Sequence, residues 1–136
     1  MKAFSILLLL GLSMAYCHVI DRCKVVRAAR EVGFGKNTAN IVCVAAHASN
    51  YDTSLHRSST EYGLLQINSY WWCDDGKTPG RKNGCKVSCK ALLNNDIIDD
   101  LKCALRIISD PNGFGAWDPW TKYCKGKDLS SYIKDC

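Results

Sequence analysis

Apolar residues recur at helical spacing in three stretches of the chain. The first predicted helix begins after Asp21, an acidic residue that can cap it, and ends at the glycines that follow residue 32. Its apolar face is formed by Val25, Val26, Ala29 and Val32. This pattern predicts an amphipathic helix with one buried side.

Two further helices are predicted on the same grounds. The second begins at Thr38, whose hydroxyl can cap it, and fades near residue 50. The third begins near Asp96 and continues to residue 108. Their apolar faces are formed by Ile41, Val42, Ala45 and Ala46, and by Ile97, Leu101, Leu105 and Ile108.

The middle of the chain has a different pattern. Residues 52–60 are polar and predict a hairpin or an irregular loop, whereas residues 62–67 are strand-like. Residues 68–84 are rich in turn formers. Two glycines then precede a Trp-rich segment, and a last helical turn is predicted before Cys136. The fold class predicted is α+β, a helical lobe with a small strand-and-loop lobe.

The first 17 residues are predicted to be a signal peptide. Lys2 is followed by an apolar run to Ala15 that is interrupted by two serines, and small residues stand before the cleavage position. The run is about a dozen residues long, too short to span a bilayer, and no later segment could do so. We therefore expect a secreted, extracellular protein whose mature domain is residues 18–136.

The cysteine count agrees with this cut. Nine cysteines are present, and removing Cys17 with the signal peptide leaves eight. An even set in an oxidising compartment predicts four disulfides, although eight cysteines allow about 105 pairings and the count alone does not choose among them. A zinc site is disfavoured, because Cys85 and Cys89 are the only close pair and no histidine cluster accompanies them.

Composition and charge limit the class of partner. Hydrophobic residues make up 47% of the chain and charged residues 23%, as in a single globular domain. The net charge of +5 favours encounters with acidic surfaces such as bacterial envelopes. Because lysines and arginines are spread along the sequence, we expect no nucleic-acid platform. We also expect a monomer.

Several motifs, taken together, resemble the c-type lysozymes and α-lactalbumins over the whole mature chain. These are the eight-cysteine spacing, the Ser-Thr-Glu-Tyr-Gly-Leu-Leu-Gln-Ile-Asn run at 59–68, Trp-Trp-Cys at 71–73 and Asn-Gly-Phe-Gly-Ala-Trp at 112–117. The resemblance implies a lysozyme-like fold with a helical lobe and a small antiparallel β lobe. It also implies the disulfides Cys23–Cys136, Cys43–Cys124, Cys73–Cys89 and Cys85–Cys103.

The resemblance also locates the catalytic carboxyl pair of lysozymes, in which one protonated acid donates to the leaving oxygen and the other stays ionised. The acid position, five residues after Cys43, is occupied here by Ala48. The second position is occupied by Glu61, where the family usually has aspartate. A methyl group cannot donate a proton, so hydrolysis is expected to be lost or very weak, and Glu61 is as readily an ordinary strand carboxylate.

The sugar-binding surface of lysozymes is largely kept. Indole faces stack on pyranose rings, and amide and carboxylate groups bind hydroxyl and N-acetyl groups. A role in packing is the alternative for tryptophans in a domain of this size. The substrate-binding positions implied by the resemblance are Gln66, Asn68, Trp71, Trp72, Asp110, Ala116 and Trp117.

Oxygen-bearing side chains cluster at the start of the third helix. Calcium takes six to eight such oxygens, and the cluster resembles the calcium loop of α-lactalbumins. The alternative is that acids simply favour a helix N-terminus. The resemblance implies side-chain oxygens from Asn94, Asp99 and Asp100 and carbonyl oxygens from Ala91 and Asp96. The expected cofactor is a structural Ca²⁺.

Three functions follow from these features. The first is a non-lytic protein that binds β-1,4-linked N-acetylglucosamine polymers of the peptidoglycan or chitin type, with a role in antimicrobial defence. The second is an α-lactalbumin-like regulator of a galactosyltransferase, which His47 and Glu61 favour and Ala46 disfavours. The third is a weakly active bacteriolytic lysozyme, a glycoside hydrolase, against which Ala48 argues.

Overall fold

The protein is described by a computed structural model of residues 18–136, and the predicted signal peptide at residues 1–17 lies outside the described residues. Within the described part, no helix is long and apolar enough to cross a membrane. Residues 18–136 contain four α-helices and one two-stranded hairpin: α1 Arg22–Val32, α2 Thr38–Ser49, β1 Glu61–Tyr62, β2 Ile67–Asn68, α3 Ile98–Ile108 and α4 Asp118–Tyr123. Short 3₁₀ turns at Gly35–Asn37, Cys89–Leu92, Gly113–Ala116 and Ser130–Tyr132 connect them.

The three predicted helices are confirmed, with corrections at their ends. α1 ends at Gly33, which has a left-handed φ of 106° and donates its N–H to the carbonyls of Ala29 and Arg30. Thr38 was predicted to cap α2 but is its first helical residue, and its hydroxyl donates to the Gly35 carbonyl at 2.7 Å. The preceding 3₁₀ turn accounts for this difference, because it brings the Gly35 carbonyl within reach.

The single strand predicted at residues 62–67 was wrong. β1 and β2 are antiparallel, with Tyr62 opposite Ile67, and residues 63–66 form the turn between them. Gly63 enters this turn with φ of 79°, and Gln66 leaves it with φ of 48°. The apolar residues in between are buried by tertiary contacts, so their hydrophobicity did not indicate an extended backbone.

Helix α4 was not predicted. It covers only six residues, with Pro119 in its first turn, and none of the six is fully buried. A helix this short displays no apolar period that a sequence pattern could reveal. Its position is set by the disulfide from Cys43 in α2 to Cys124, directly after α4.

The core lies between α1, α2 and α3 and extends under the hairpin. Its largest fully buried side chains include Val25, Ile41, Leu64, Leu92 and Leu101. All four disulfides have the pairing that the resemblance implied: Cys23–Cys136, Cys43–Cys124, Cys73–Cys89 and Cys85–Cys103. The last two cross-link the loop-rich lobe within itself and to α3.

Gly63 is the glycine on which the hairpin depends most. A Cβ atom there would lie 2.0 Å from the Leu92 carbonyl oxygen, a distance that real contacts do not reach. Gly76 has almost the same φ, 78°, and open space around it. We predict that Gly76→Ala costs about 1–2 kcal/mol, the penalty of a left-handed backbone. Gly63→Ala should cost about 4 kcal/mol or more, because the collision adds to that penalty.

Urea unfolding of the two variants measures this difference. Equal losses of unfolding free energy in Gly63→Ala and Gly76→Ala would contradict the close approach of the hairpin turn to Leu92.

Candidate functional site

A cleft of about 600 Å³ separates the end of α2 from the hairpin. Its walls come from α2, the loop before β1, the hairpin, and α4 with the segment that leads into it. The lining residues are His47, Ala48, Arg57, Thr60, Glu61, Gln66, Asn68, Ala116, Trp117, Asp118, Pro119, Lys122 and Tyr123. The predicted acid position and the predicted second carboxylate therefore face the same cavity.

Ala48 brings no titratable group to this cleft. Its side chain is 1% exposed, and its backbone carbonyl accepts a hydrogen bond from the Arg57 guanidinium group. Since an arginine side chain stays charged at any physiological pH, a permanent cation lies beside the acid position. The cleft therefore has a fixed positive charge, and no proton donor from Ala48, at this position.

Glu61 is the first residue of β1 and is half-buried. Its Oε1 accepts a hydrogen bond from the Ser58 hydroxyl at 2.9 Å. Among the described residues only Arg81–Asp74 and Arg106–Asp110 are ion pairs, so Glu61 has no cationic partner within 4.0 Å there. The carboxylate is held by a neutral donor, and Glu61 lines the cleft.

Gln66 uses its side-chain amide to hold the loop before β1. Its Nε2 donates to the carbonyls of Leu55 and Gly63, both at 2.8 Å, and its Oε1 accepts the Arg57 backbone N–H at 3.2 Å. Both amide hydrogens therefore form hydrogen bonds with backbone carbonyls. Gln66 lines the cleft floor and, by these bonds, positions Arg57.

Two adjacent indoles differ in exposure. Trp71 is 54% exposed and packs edge-on against Tyr70, with ring centroids 4.8 Å apart. Trp72 is half-buried, and the Arg106 guanidinium lies 5.5 Å from its ring centroid. Trp71 thus offers a free aromatic face, whereas the Arg106 guanidinium lies over the ring of Trp72.

Asn68 and Trp117 each use one side-chain polar atom in a hydrogen bond within the protein. The Asn68 Oδ1 accepts the Tyr70 N–H at 2.7 Å, which leaves its amide hydrogens for a ligand. The Trp117 Nε1 donates to the Leu65 carbonyl at 2.8 Å, so this indole is tied to the hairpin turn. Trp117 is accordingly buried, at 6% exposure.

Five of the seven predicted sugar-binding residues border one small hollow of about 40 Å³ that adjoins the cleft. Trp71 and Asp110 do not border it; Asp110 instead accepts a hydrogen bond from Arg106 at 2.7 Å in an ion pair. The five are Gln66, Asn68, Trp72, Ala116 and Trp117. The fold therefore brings together residues separated by up to 51 positions.

These features coincide with a match to known proteins. The sequence model of the C-type lysozyme/alpha-lactalbumin family matches residues 18–136. The chain belongs to this family. Lysozyme C of Chelonia mydas is 47% identical over 125 residues, which cover 85% of this chain and 96% of that protein. The non-stomach lysozyme C isozyme of Bos taurus is 44% identical and covers 100% of this chain and 99% of its own.

Several residues of this lysozyme-family cleft were not foreseen, among them Arg57, Lys122 and Tyr123. The Tyr123 ring stacks on His47 at 4.4 Å, and Lys122 Nζ lies 5.3 Å from the same ring. His47 Nε2 also shares a hydrogen bond with the Tyr132 hydroxyl at 2.9 Å. Arg57 lies in an irregular loop and the other two in the unpredicted α4, so no local pattern pointed to them.

The predicted calcium loop contains one unusual carboxylate. Asp100 is fully buried, and neither of its oxygens has a hydrogen-bond partner among the described residues. Burial, together with the negative charges of Asp99 and Asp96, raises the pKa of Asp100 to about 9. A buried carboxylate without donors is an arrangement that a cation would satisfy.

The other predicted ligands of this loop are less enclosed. Asn94, Asp96 and Asp99 are exposed, and the Asn94 Oδ1 accepts the Asp96 N–H at 2.9 Å. Within residues 18–136 no three His, Cys, Asp or Glu side chains converge on a common point. A metal here would therefore depend on amide and carbonyl oxygens, including the predicted Ala91 carbonyl, besides the carboxylates.

Proposed function

We propose that this lysozyme-family protein binds β-1,4-linked N-acetylglucosamine oligomers in the cleft and does not cleave them efficiently. The observation that carries the proposal is the pairing of Ala48 with Arg57: the acid position holds a methyl group, and a permanent cation is bonded to its carbonyl. The walls that would contact sugar are kept, while the group that would donate the proton is absent.

The binding half of the proposal is supported by the aromatic and amide groups. Trp71 presents an exposed face on which a pyranose ring can stack. The Asn68 amide hydrogens are free to donate to an N-acetyl or hydroxyl oxygen. Such a mixture of apolar faces and a few directed polar groups is typical of small-ligand sites.

The catalytic half is supported by electrostatics. A general acid for glycoside cleavage must be protonated at working pH, so its pKa is raised by an apolar environment. A guanidinium at the acid position has the opposite effect, because a nearby positive charge favours the ionised carboxylate. Arg57 would therefore oppose proton donation even from a restored glutamate.

We predict that chitotriose perturbs the Trp fluorescence of the protein with saturable binding. Trp71→Ala should weaken this binding by roughly three- to tenfold, the value of one aromatic contact. The matched control is Val19→Ala, which removes an exposed apolar side chain from the N-terminal segment, whereas Trp71 lies three residues after Asn68, which lines the cleft. Absence of any fluorescence change at millimolar chitotriose, about the weakest range expected of such a site, would refute the binding proposal.

We also predict that Ala48→Glu by itself does not restore clearance of bacterial cell walls. Arg57 would hold the new carboxyl group ionised, so the double variant Ala48→Glu/Arg57→Gln should be the first to show activity. Turbidity of a cell-wall suspension measures the rate, with Arg57→Gln as the control that lacks an acid. Clearance by Ala48→Glu equal to that of the double variant would show that Arg57 has no such effect.

We further propose that the loop at residues 91–100 binds a structural Ca²⁺ through the Asn94, Asp99 and Asp100 side chains and the Ala91 and Asp96 carbonyls. The support is the buried Asp100 carboxylate, whose two oxygens have no donors in the described chain. Bound calcium would supply the missing positive charge and stabilise the fold.

Chelation should then lower the melting temperature, by roughly 10 °C relative to calcium at a hundredfold excess over Kd. Asp100→Asn should melt at the same temperature with and without calcium, because it removes the buried charge. Glu31→Gln, a change of an exposed acid on α1, should keep the full calcium response. Identical melting curves of the unmodified protein in calcium and in chelator would count against the site.

A further inference from the structure

A second concave surface lies on the loop-rich lobe and shares no residue with the sugar cleft. Its volume is about 630 Å³. It is bordered by the turn after Cys73, the loop around Lys86 and the 3₁₀ turn that begins at Cys89. We call it the basic pocket, and its lining includes Lys77, Lys86, Lys90, His56, Asp74 and Asp75.

The basic pocket is lined by lysines from a segment that is rich in basic residues and contains no acids. Residues 77–90 contain five lysines and arginines and no aspartate or glutamate. Three of the five, Lys77, Lys86 and Lys90, border the pocket and are exposed. In the described chain none of their amino groups is in an ion pair or a hydrogen bond, so all three are free to meet a ligand.

The two acids in the same wall already have partners within the protein. Asp74 forms an ion pair with Arg81 and accepts the Gly76 N–H at 2.8 Å. Asp75 accepts four hydrogen bonds at 2.7–3.0 Å, from the Thr78 hydroxyl, the Tyr62 hydroxyl and the backbone N–H groups of residues 77 and 78. Arg81 therefore compensates the charge of Asp74, and hydrogen bonds within the protein occupy the oxygens of Asp75, while the three lysines remain unpaired.

The pKa values of the Tyr62–Asp75 pair agree with this picture. Partial burial pushes the pKa of Asp75 upward, but the hydrogen bonds from Thr78, Lys77 and Tyr62 outweigh it and hold it well below its usual range. Burial and the Asp75 carboxylate raise the pKa of Tyr62 to about 12. The carboxylate stays ionised and satisfied at any physiological pH.

The backbone that carries these lysines is held rigidly. Lys86 has a left-handed φ of 54°, in a turn closed by its N–H to the Asn83 carbonyl at 3.0 Å and by the Val87 N–H to Asn83 Oδ1 at 3.0 Å. Cys85 and Cys89, on either side of it, belong to two different disulfides. A charged residue held in an unfavourable conformation by cross-links is positioned in advance for binding.

We propose that the basic pocket is a second binding site, which takes the sulfate groups of a linear sulfated polysaccharide. Three unpaired ammonium groups around one concavity match clustered sulfates, each of which needs charge and hydrogen-bond donors. A flat membrane surface does not enter a concave site. Single-stranded nucleic acid is disfavoured because the two rings in the wall, His56 and Tyr62, stack on each other at 4.1 Å and Tyr62 is buried.

The test is titration calorimetry with a heparin octasaccharide at low and at physiological salt. Lys77→Gln/Lys86→Gln/Lys90→Gln should lose roughly tenfold or more in affinity, and the salt dependence of log K should fall by about two units of slope. The control Lys36→Gln/Lys125→Gln/Lys127→Gln removes the same charge from exposed lysines outside the pocket and should retain the affinity.

Two further measurements complete the design. Both triple variants should bind chitotriose as the unmodified protein does, which shows that they are folded and separates this site from the cleft. The single variant Lys86→Gln should lose part of the affinity in the same direction.

Three results would overturn the proposal. Equal losses in the two triple variants would reduce the effect to net charge. Equal binding of the desulfated, N-acetylated octasaccharide would exclude sulfate recognition. Equal or tighter binding of single-stranded DNA of similar length would assign the surface to nucleic acid.

Discussion

The disulfide between Cys43 and Cys124 holds the two walls of the cleft together. Cys43 lies in α2, five residues before Ala48, and Cys124 directly follows α4, which carries Lys122 and Tyr123. The cross-link joins residues 81 positions apart. It lowers the conformational entropy of the unfolded chain, which stabilises the folded state by roughly 4–5 kcal/mol. Because α4 has only six residues and buries none of them fully, it depends on this bond for its position.

A similar dependence holds in the other lobe. Its regular structure is one hairpin with two residues in each strand, far less than an independently stable sheet requires. The disulfides Cys73–Cys89 and Cys85–Cys103, the side-chain bonds of Asp75 and the Gln66 amide take the place of a larger sheet. This thin lobe presents one face to the sugar cleft and the other to the basic pocket.

The proposed function separates glycan binding from catalysis within one family fold. Stacking and hydrogen bonding use side chains from several elements, and losing one group weakens them only in part. Proton donation depends on one carboxyl group in an apolar environment. In this chain that group is a methyl, and the neighbouring loop brings Arg57 to its carbonyl. The proposed non-lytic function follows because the loss of one residue abolishes proton donation but only weakens sugar binding.

Local pattern and composition were sufficient for the three long helices, because each buries one face against the core and so carries a 3.6-residue period. The cysteine spacing and the short motifs were sufficient to indicate the family, and the resemblance to that family then implied the disulfide pairs and the missing acid at Ala48. They were insufficient for the hairpin at Gly63, for α4 and for the placement of Arg57, because these depend on contacts between residues far apart in the chain. The same reason applies to the basic pocket, because the basic segment at residues 77–90 does not show by itself which of its lysines border one concavity. Folding pairs Asp74 with Arg81, engages Asp75 in hydrogen bonds and leaves Lys77, Lys86 and Lys90 around one pocket.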